Sequence, residues 1–330
     1  VGQGSPCILL RADMDALPMR EESGLEFAAS NGNAHSCGHD MHTAMLLGAA
    51  KILKEREDEL QGTVKLVFQP AEELLIGAKA MVDAGLLADP KPDAAVMIHV
   101  DTKSPLGIYL KSGIMTSGSN NYRIRIEGKG SHGAMPENGV DPIYIGAQIV
   151  LGLQALVSRE VGFRDGAVVT TGHFEGGTAP NVIPDTALIE GTMRSFNPEV
   201  QAYLKTRIPE LVSAIASSYR GHAEVEYLSD VQAVINEPLL TRQVQGYLNE
   251  LSQGQFAVRP TEPVTASEDF AFISTRVPSV MMMLGAEVDE GESYPLHNAK
   301  AVFNEEALPI GSAALAQIAF RYLADMQLMA

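Results

Sequence analysis

Tyr122-Arg123-Ile124-Arg125-Ile126-Glu127 alternates apolar and charged residues with a period of two. That is the pattern of a strand with one buried and one wet face. The chain before it reads differently. Cys7-Ile8-Leu9-Leu10, Thr63-Val64-Lys65-Leu66-Val67-Phe68 and Ala94-Ala95-Val96-Met97-Ile98 read as short buried strands. Residues 43–55 and 76–87, lying between them, read as helices, with Ala44, Leu47, Ala50, Ile52 and Leu53 at roughly helical spacing in the first. After Tyr122 the sequence predicts a helix over 142–158, strands over 167–174 and 186–194, a helix over 198–217 and a strand over 223–228. This β-α-β-β-α-β order is that of a ferredoxin-like domain. Strand–helix alternation resumes near Val231, with a helix over 238–251, a strand over 279–284 and a final helix over 305–326. The expectation is therefore an α/β protein with a discontinuous first domain, residues 1–116 and 231–330. Its mixed sheet is flanked by helices, and an α+β domain of residues 117–230 is inserted into it.

A length of 330 residues favours two domains over one core. The two cysteines, Cys7 and Cys37, are too few for a disulfide framework and point to a reducing cytoplasm. Val1-Gly2-Gln3-Gly4 lacks the charged and apolar regions of a signal peptide, and no run of about 18 apolar residues suggests a membrane span. The formal net charge of −17 argues against nucleic acid or anionic lipid as partner, since both would be repelled. An anionic substrate would need a local cation.

Metal-seeking side chains concentrate in His35-Ser36-Cys37-Gly38-His39-Asp40-Met41-His42. Cys37 and His39 flank a glycine that lets the backbone turn both donors toward one point. From this stretch alone a polar loop with an incidental buried thiol is the plainer reading. The three early strands, however, each end in donors. Asp13 and Asp15 follow the first, Glu72 and Glu73 the second, and His99 the third. Carboxyl ends of strands are where open α/β sheets keep ligands. Each group has a plainer reading too: an Asx-rich turn closed by Pro18, an acidic helix start, a structural histidine.

With these residues in register, the chain resembles the M20 metallopeptidase family in its amidohydrolase branch, the aminoacylases, hippurate hydrolases and indole-acetyl-amino-acid hydrolases. The likeness rests on Arg11-Ala12-Asp13-Met14-Asp15-Ala16-Leu17-Pro18, Cys37-Gly38-His39-Asp40-Met41-His42, Gln69-Pro70-Ala71-Glu72-Glu73 and His99. It continues through Gly130-Ser131-His132-Gly133, Gly176-Gly177-Thr178-Ala179-Pro180-Asn181-Val182-Ile183-Pro184, Ser267-Glu268-Asp269-Phe270 and Leu296-His297-Asn298. Any one of these is weak; all of them in order are strong.

The resemblance implies a dinuclear metal centre held by Cys37, His39, Glu73, His99 and His297, with two divalent transition-metal ions per chain. Thiolate and imidazole donors suit zinc, manganese, cobalt or nickel rather than magnesium or calcium. It further implies that Asp15 steadies the metal site and that Glu72 is the general base toward a metal-activated water. His132, on the inserted domain, would stabilise the oxyanion, usually in a partner subunit's site, which implies a homodimer built through that dimerisation (lid) domain. Asn181 and Arg194 match positions that hold a substrate carboxylate, a task suited to the planar arginine fork. Asp13 stands where many of the wider family carry a metal-binding histidine, and it is not assigned as a ligand. Ser267-Glu268-Asp269 reads as well as a helix cap followed by acids, and is left outside the site. Family members usually carry an opening helix and strand pair before the first motif. Their absence here implies an uncovered sheet edge and a shortened chain.

The implied activity is cleavage of a small N-acyl amino acid to a carboxylate and a free amino acid, with neither nucleic acid nor membrane as partner. A dipeptidase or carboxypeptidase of the same fold is the alternative. Other classes are a thiol hydrolase with Cys37 as nucleophile and His39 or His42 as base, or an inactive binding protein.

Overall fold

The computed structural model describes residues 1–288 and 291–329. The chain forms two compact units: Val1–Met115, Val234–Val264 and Glu268–Ala330 in the first, Thr116–Ala233 and Thr265–Ser267 in the second. The first unit opens with β1 (Cys7–Asp13), α1 (His39–Glu55), β2 (Thr63–Gln69), α2 (Gly77–Asp83), β3 (Ala94–Asp101), β4 (Gly107–Tyr109) and β5 (Gly113–Ile114). The second supplies β6 (Gly118–Glu127), β7 (Ser131–His132), α3 (Pro142–Ala155), β8 (Ala167–Gly176), β9 (Val182–Ile183), β10 (Thr186–Ser195), α4 (Pro198–Ser218) and β11 (His222–Tyr227). The first unit resumes with β12 (Ile235–Asn236), α5 (Pro238–Ser252), β13 (Ala257–Arg259), α6 (Ala271–Ser274), β14 (Ser279–Gly285) and α7 (Ala307–Met329).

The first unit's main sheet runs β13-β4-β14-β3-β1-β2. Its strands β2, β1, β3 and β14 are parallel, with Asp13 opposite Gln69 and Arg11 opposite Met97. Against them β4 is antiparallel, and β13 follows β4, so the sheet is mixed. Every residue of β1 and β14 is buried, which explains their unbroken apolar runs. Ile8, Leu10, Val96 and Ile98 meet Met45, Leu46, Ala49 and Leu53 of α1 in one core, the last three at the i, i+3 and i+7 spacing of a helix face. Each such side chain contributes about 1.5–3 kcal/mol on full burial. At the sheet's edge β2 is paired on its outer side by a bridge from Gly2 to Thr63.

The second unit's sheet runs β11-β6-β10-β8, antiparallel throughout. Tyr122, Ile124 and Ile126 of β6 turn inward onto Ile145, Ile149 and Leu153 of α3 and Leu204, Ile208 and Val212 of α4. On the outer face Arg123 pairs with Glu190 at 2.7 Å and Arg125 with Glu226 at 2.8 Å. Period two thus separates the core from a solvated ion-pair lattice.

Several expectations shift. A wider turn over Leu156–Glu160 follows α3, and α2 ends at Asp83 rather than near residue 87. Strands β4, β5, β12 and β13, of two or three residues each, are too short to show a period. Over Ala307–Leu328, α7 is long and apolar enough to cross a membrane by length and composition, contrary to the sequence reading. Its Leu315, Ile318, Ala319 and Leu323 are buried in the first core.

Most consequential is the start of α1 at His39 instead of residue 43. Gly38 takes φ 80°, and its carbonyl accepts the His42 N–H at 3.1 Å. A Cβ there would lie 2.3 Å from Val100 Cγ2. Gly38→Ala should therefore destabilise the protein by more than the roughly 1–2 kcal/mol of a left-handed backbone alone. Urea unfolding would show it, and an unchanged midpoint would mean that the loop accommodates a side chain.

Candidate metal centre

Five segments of the first unit converge where the parallel strands end. The loop after β1 carries Asp15, whose carboxylate accepts the N–H groups of Glu72 and Glu73, each at 3.0 Å. Its Oδ1 also lies 3.4 Å from His39 Nδ1. Burial pushes the Asp15 carboxyl up, but His39 and the two peptide N–H groups outweigh it and hold the acid below its usual range. One side chain thus fixes both the doubled glutamate and the imidazole.

The donors gather around Cys37. Its Sγ lies 3.6 Å from His99 Nε2 and 3.3 Å from His297 Nε2. Glu73 Oε1 stands 3.4 Å from His297 Nε2 and 3.9 Å from His39 Nε2. His99 gives its Nδ1 proton to the Val100 carbonyl at 2.7 Å, which leaves the Nε2 lone pair facing the thiol. His297 sits at φ 63° with its N–H on the Ser36 carbonyl at 3.0 Å. A strained backbone position therefore ties the late loop to the Cys37 loop. Within each of three groups, Cys37 with His39 and His99, Cys37 with Glu73 and His297, and His39 with Glu72 and Glu73, ligand atoms lie within 4.8 Å of one another. Cys37, His39, Glu73, His99 and His297 are brought together from positions as much as 260 residues apart.

Two observations test whether these residues fit a metal. His39 Nε2 and Glu73 Oε1 are buried without a hydrogen-bond partner, a cost that a cation between them would offset. Charge is also unbalanced: Asp13, Asp15, Glu72, Glu73, Glu268 and Asp269 cluster with Arg11, and burial followed by Glu73 and Glu72 pushes the Cys37 thiol up. A thiolate here needs a cation beside it. Thiolate, imidazole and carboxylate together are the donors of a first-row transition metal. The residues fit.

His42 lies outside this donor set. Its Nδ1 donates to Asp13 Oδ1 at 2.5 Å and its Nε2 accepts the Val100 N–H at 2.9 Å. Burial pushes it down to about 3, so it is neutral and fully used as a bridge between β1, α1 and β3. Asp13 is equally committed, since Arg11 takes its other oxygen at 2.7 Å. Burial acts against its ionised form, but Arg11 and His42 hold it well below the usual range.

Sequence reasoning missed a buried charge network. Arg11, 1 % exposed, donates to Gln69 Oε1 at 2.9 Å, to Glu268 Oε1 at 2.9 Å and to Asp269 Oδ1 at 3.1 Å. Glu268 and Asp269 are not a solvated helix start but buried partners of this guanidinium, and both come within reach of Glu72. Burial, with Glu268 next, pushes the Glu72 carboxyl well above its ordinary value. Arg11 was the available signal: an arginine inside an apolar strand must find carboxylates.

The other residues singled out from sequence belong to the second unit. His132 on β7 pairs with Val182 on β9, beside Asn181, whose carbonyl accepts the Gly133 N–H at 2.8 Å. His132 Nδ1 accepts the Ala134 N–H at 3.0 Å, which makes its exposed Nε2 the protonated nitrogen. Arg194 is near the far end of β10, opposite Ser119 and Val168. At about 3.3 Å per residue, the strand carries it some 26 Å from Thr186.

With the geometry in hand, comparison decides the family: the sequence matches the model for peptidase family M20/M25/M40 over residues 9–321. The chain belongs to that family. An IAA-amino acid hydrolase ILR1-like 5 of Arabidopsis thaliana is 41% identical over 98% of this chain and 76% of its own length. An N-acetyl-L-cysteine deacetylase of Bacillus subtilis is 38% identical over 88% of this chain and 69% of its own. Among solved structures, the YXEP protein of Bacillus subtilis, a dinuclear metal binding peptidase, superposes with a TM-score of 0.83 at 31% identity, covering 98% of this chain and 82% of that one. This M20 protein is a metal-binding hydrolase of amide bonds.

Removing Arg11 tests the network. Arg11→Met should destabilise the protein by about 3–5 kcal/mol in denaturant unfolding, because its carboxylates lose their partner. A loss below about 1 kcal/mol, the scale of a surface pair, would mean that they are compensated elsewhere.

Proposed function

We propose that the protein cleaves N-acyl amino acids into a carboxylate and a free amino acid, using two divalent transition-metal ions. Cys37, His39, Glu73, His99 and His297 would hold the ions, and the donor set admits zinc, manganese, cobalt or nickel. When bound, they supply Lewis acidity toward water and the amide carbonyl. The observation that carries the reading is the place of Glu72, a buried carboxyl beside Glu73 whose oxygen lies within 4.8 Å of ligand atoms of His39 and Glu73. Such a group takes the proton of the attacking water and returns it to the departing amide nitrogen. Asp15 keeps Glu72 and Glu73 in register through their peptide N–H groups. His132 would present Nε2–H to the oxyanion, and Asn181 with Arg194 would hold the substrate's carboxylate.

His132 and Asn181 lie at one end of the second unit's sheet and Arg194 near the other. They cannot reach one small substrate from the same chain, so we read the enzyme as a homodimer in which a partner supplies His132 and Asn181. The second unit would be the dimerisation domain. Its edge strand β8 exposes Val168 and Phe174, and α3 beside it exposes Ile143, Tyr144 and Leu151. The free thiols of Cys7 and Cys37 fit a reducing, cytoplasmic setting.

A Cys37 nucleophile would need a lowered thiol pKa. Burial and the neighbouring glutamates push it the other way.

Glu72→Gln should lower kcat by about 10²–10⁴-fold while elemental analysis finds the wild-type metal content; a wild-type kcat would remove Glu72 as the base. Chelation should abolish activity and added metal restore it. Chelator-resistant activity lost on alkylation would instead make this a thiol enzyme. On a substrate panel, N-acetyl and N-benzoyl amino acids should be turned over ahead of unblocked dipeptides, whose preference would mark a dipeptidase. Sedimentation should show a dimer that Phe174→Asp dissociates, with activity falling alongside. A fully active wild-type monomer would exclude a shared site.

A further inference from the structure

Three arginines of the second unit's surface are held by carboxylates, Arg123 by Glu190, Arg125 by Glu226 and Arg207 by Glu160, whereas Arg220 donates to the Gly139 carbonyl. Arg194 is held differently. Among the described residues, its Nη1 donates to Ser267 Oγ at 2.9 Å and no carboxylate lies within ion-pair distance of the guanidinium. Its cross-strand neighbours, Ser119 and Val168, are uncharged. In a chain with 41 acidic and 24 basic residues, an arginine kept clear of carboxylates is an electrostatic reserve for an anion.

The hydroxyl that holds it is itself oriented. Ser117 Oγ donates to the Thr265 carbonyl at 2.8 Å and lies 3.4 Å from Ser267 Oγ. With its own proton spent on Thr265, Ser117 can only accept from Ser267, which turns the Ser267 lone pairs toward Arg194. The chain of donors therefore runs from Arg194 to Ser267, to Ser117, to the Thr265 carbonyl. A neutral acceptor fixes the fork without cancelling its charge, and the remaining N–H groups stay available for a bidentate partner.

We propose that Ser267 is a positioning residue that holds Arg194 uncompensated for the carboxylate of the substrate. This rests on the reading of Arg194 as the group that binds that carboxylate. An aspartate at the same place would hold the guanidinium as firmly and neutralise it, so the role requires a hydroxyl, not merely a hydrogen-bond acceptor.

The test uses the metal-loaded enzyme, with KM and kcat for an N-acetyl amino acid and, in a Glu72→Gln background, Kd for the same compound by calorimetry. Ser267→Ala should raise KM and Kd about five- to tenfold with kcat held, the scale of one hydrogen bond to a charged group. Ser267→Thr should stay within about twofold of wild type, and Ser267→Asp should match Arg194→Met. The corresponding N-acetyl amino amide, which has no carboxylate, should bind all Ser267 variants alike. The outcomes separate cleanly. If Arg194→Met raises KM at least tenfold while Ser267→Ala or Ser267→Asp stays within twofold of wild type, the positioning role is wrong and the Arg194 reading stands. If Arg194→Met leaves KM and Kd unchanged, both fall. An equal loss for the amide compound, or a fall in kcat at constant KM, would make Ser267 structural and overturn the proposal.

Discussion

A guanidinium on β1 that cannot shed its proton and cannot reach water sets the terms for the first unit. Arg11 is surrounded by Asp13, Gln69, Glu268 and Asp269, drawn from two strand ends and a segment more than 250 residues away. Burial disfavours its charge, and the three carboxylates more than restore it. The same network brackets the loop that carries the doubled glutamate. Gln69 before the loop accepts from Arg11 Nε, and Ala78 after it donates its N–H to Asp269 Oδ2 at 2.8 Å. Net stabilisation from such buried ions is small, but each misplaced partner is costly, so the network selects one arrangement rather than adding stability.

Backbone strain collects at the same place. Gly38 at φ 80°, Ala71 at φ 56°, Leu75 at φ 57° and His297 at φ 63° lie on the three loops that carry Cys37, Glu72 with Glu73, and His297. Non-glycine residues adopt this region at a cost of roughly 1–2 kcal/mol each. Local bonds hold them there: the Ala71 carbonyl accepts the Gly77 N–H at 3.1 Å, and the His297 N–H reaches Ser36. His99, in contrast, comes from β3 with no strain, because a strand end already points the right way. The donors are positioned by rigid strands and by tight loops whose distortion the charge network sustains.

This division explains what the sequence made legible. Apolar runs marked β1 and β3 because strands covered on both faces leave little other composition, whereas β2, at the edge and only partly buried, carries Lys65 within its run. Period two marked β6 because one of its faces is wet. Donors at the ends of β1 and β2 stood out because thiols, imidazoles and paired acids are rare beside apolar strands. Glu268 and Asp269 escaped notice because acids after a serine look the same whether they cap a solvated helix or reach a buried arginine. Only the three-dimensional partner distinguishes the two, and it lies 257 residues away. The early start of α1 escaped for a local reason: a glycine at its N-cap has no side chain to announce it. Likewise, the approach of His132 to Asn181 depends on β7 and β9, strands of two residues each, whose pairing no periodicity can show.

The two units solve opposite electrostatic problems within one acidic chain. In the first, carboxylates and a thiol outnumber Arg11, the one buried guanidinium among the described residues, so the cluster suits imported positive charge. In the second, the surface ion-pair lattice consumes Arg123 and Arg125, while Arg194 is held by a hydroxyl and keeps its charge. An N-acyl amino acid has one neutral amide to be polarised and one permanent carboxylate to be held. The deficit of positive charge in the first unit matches the need to polarise an amide, and under the proposed role of Arg194 a guanidinium with a neutral anchor and uncharged cross-strand neighbours would keep its full charge for the carboxylate.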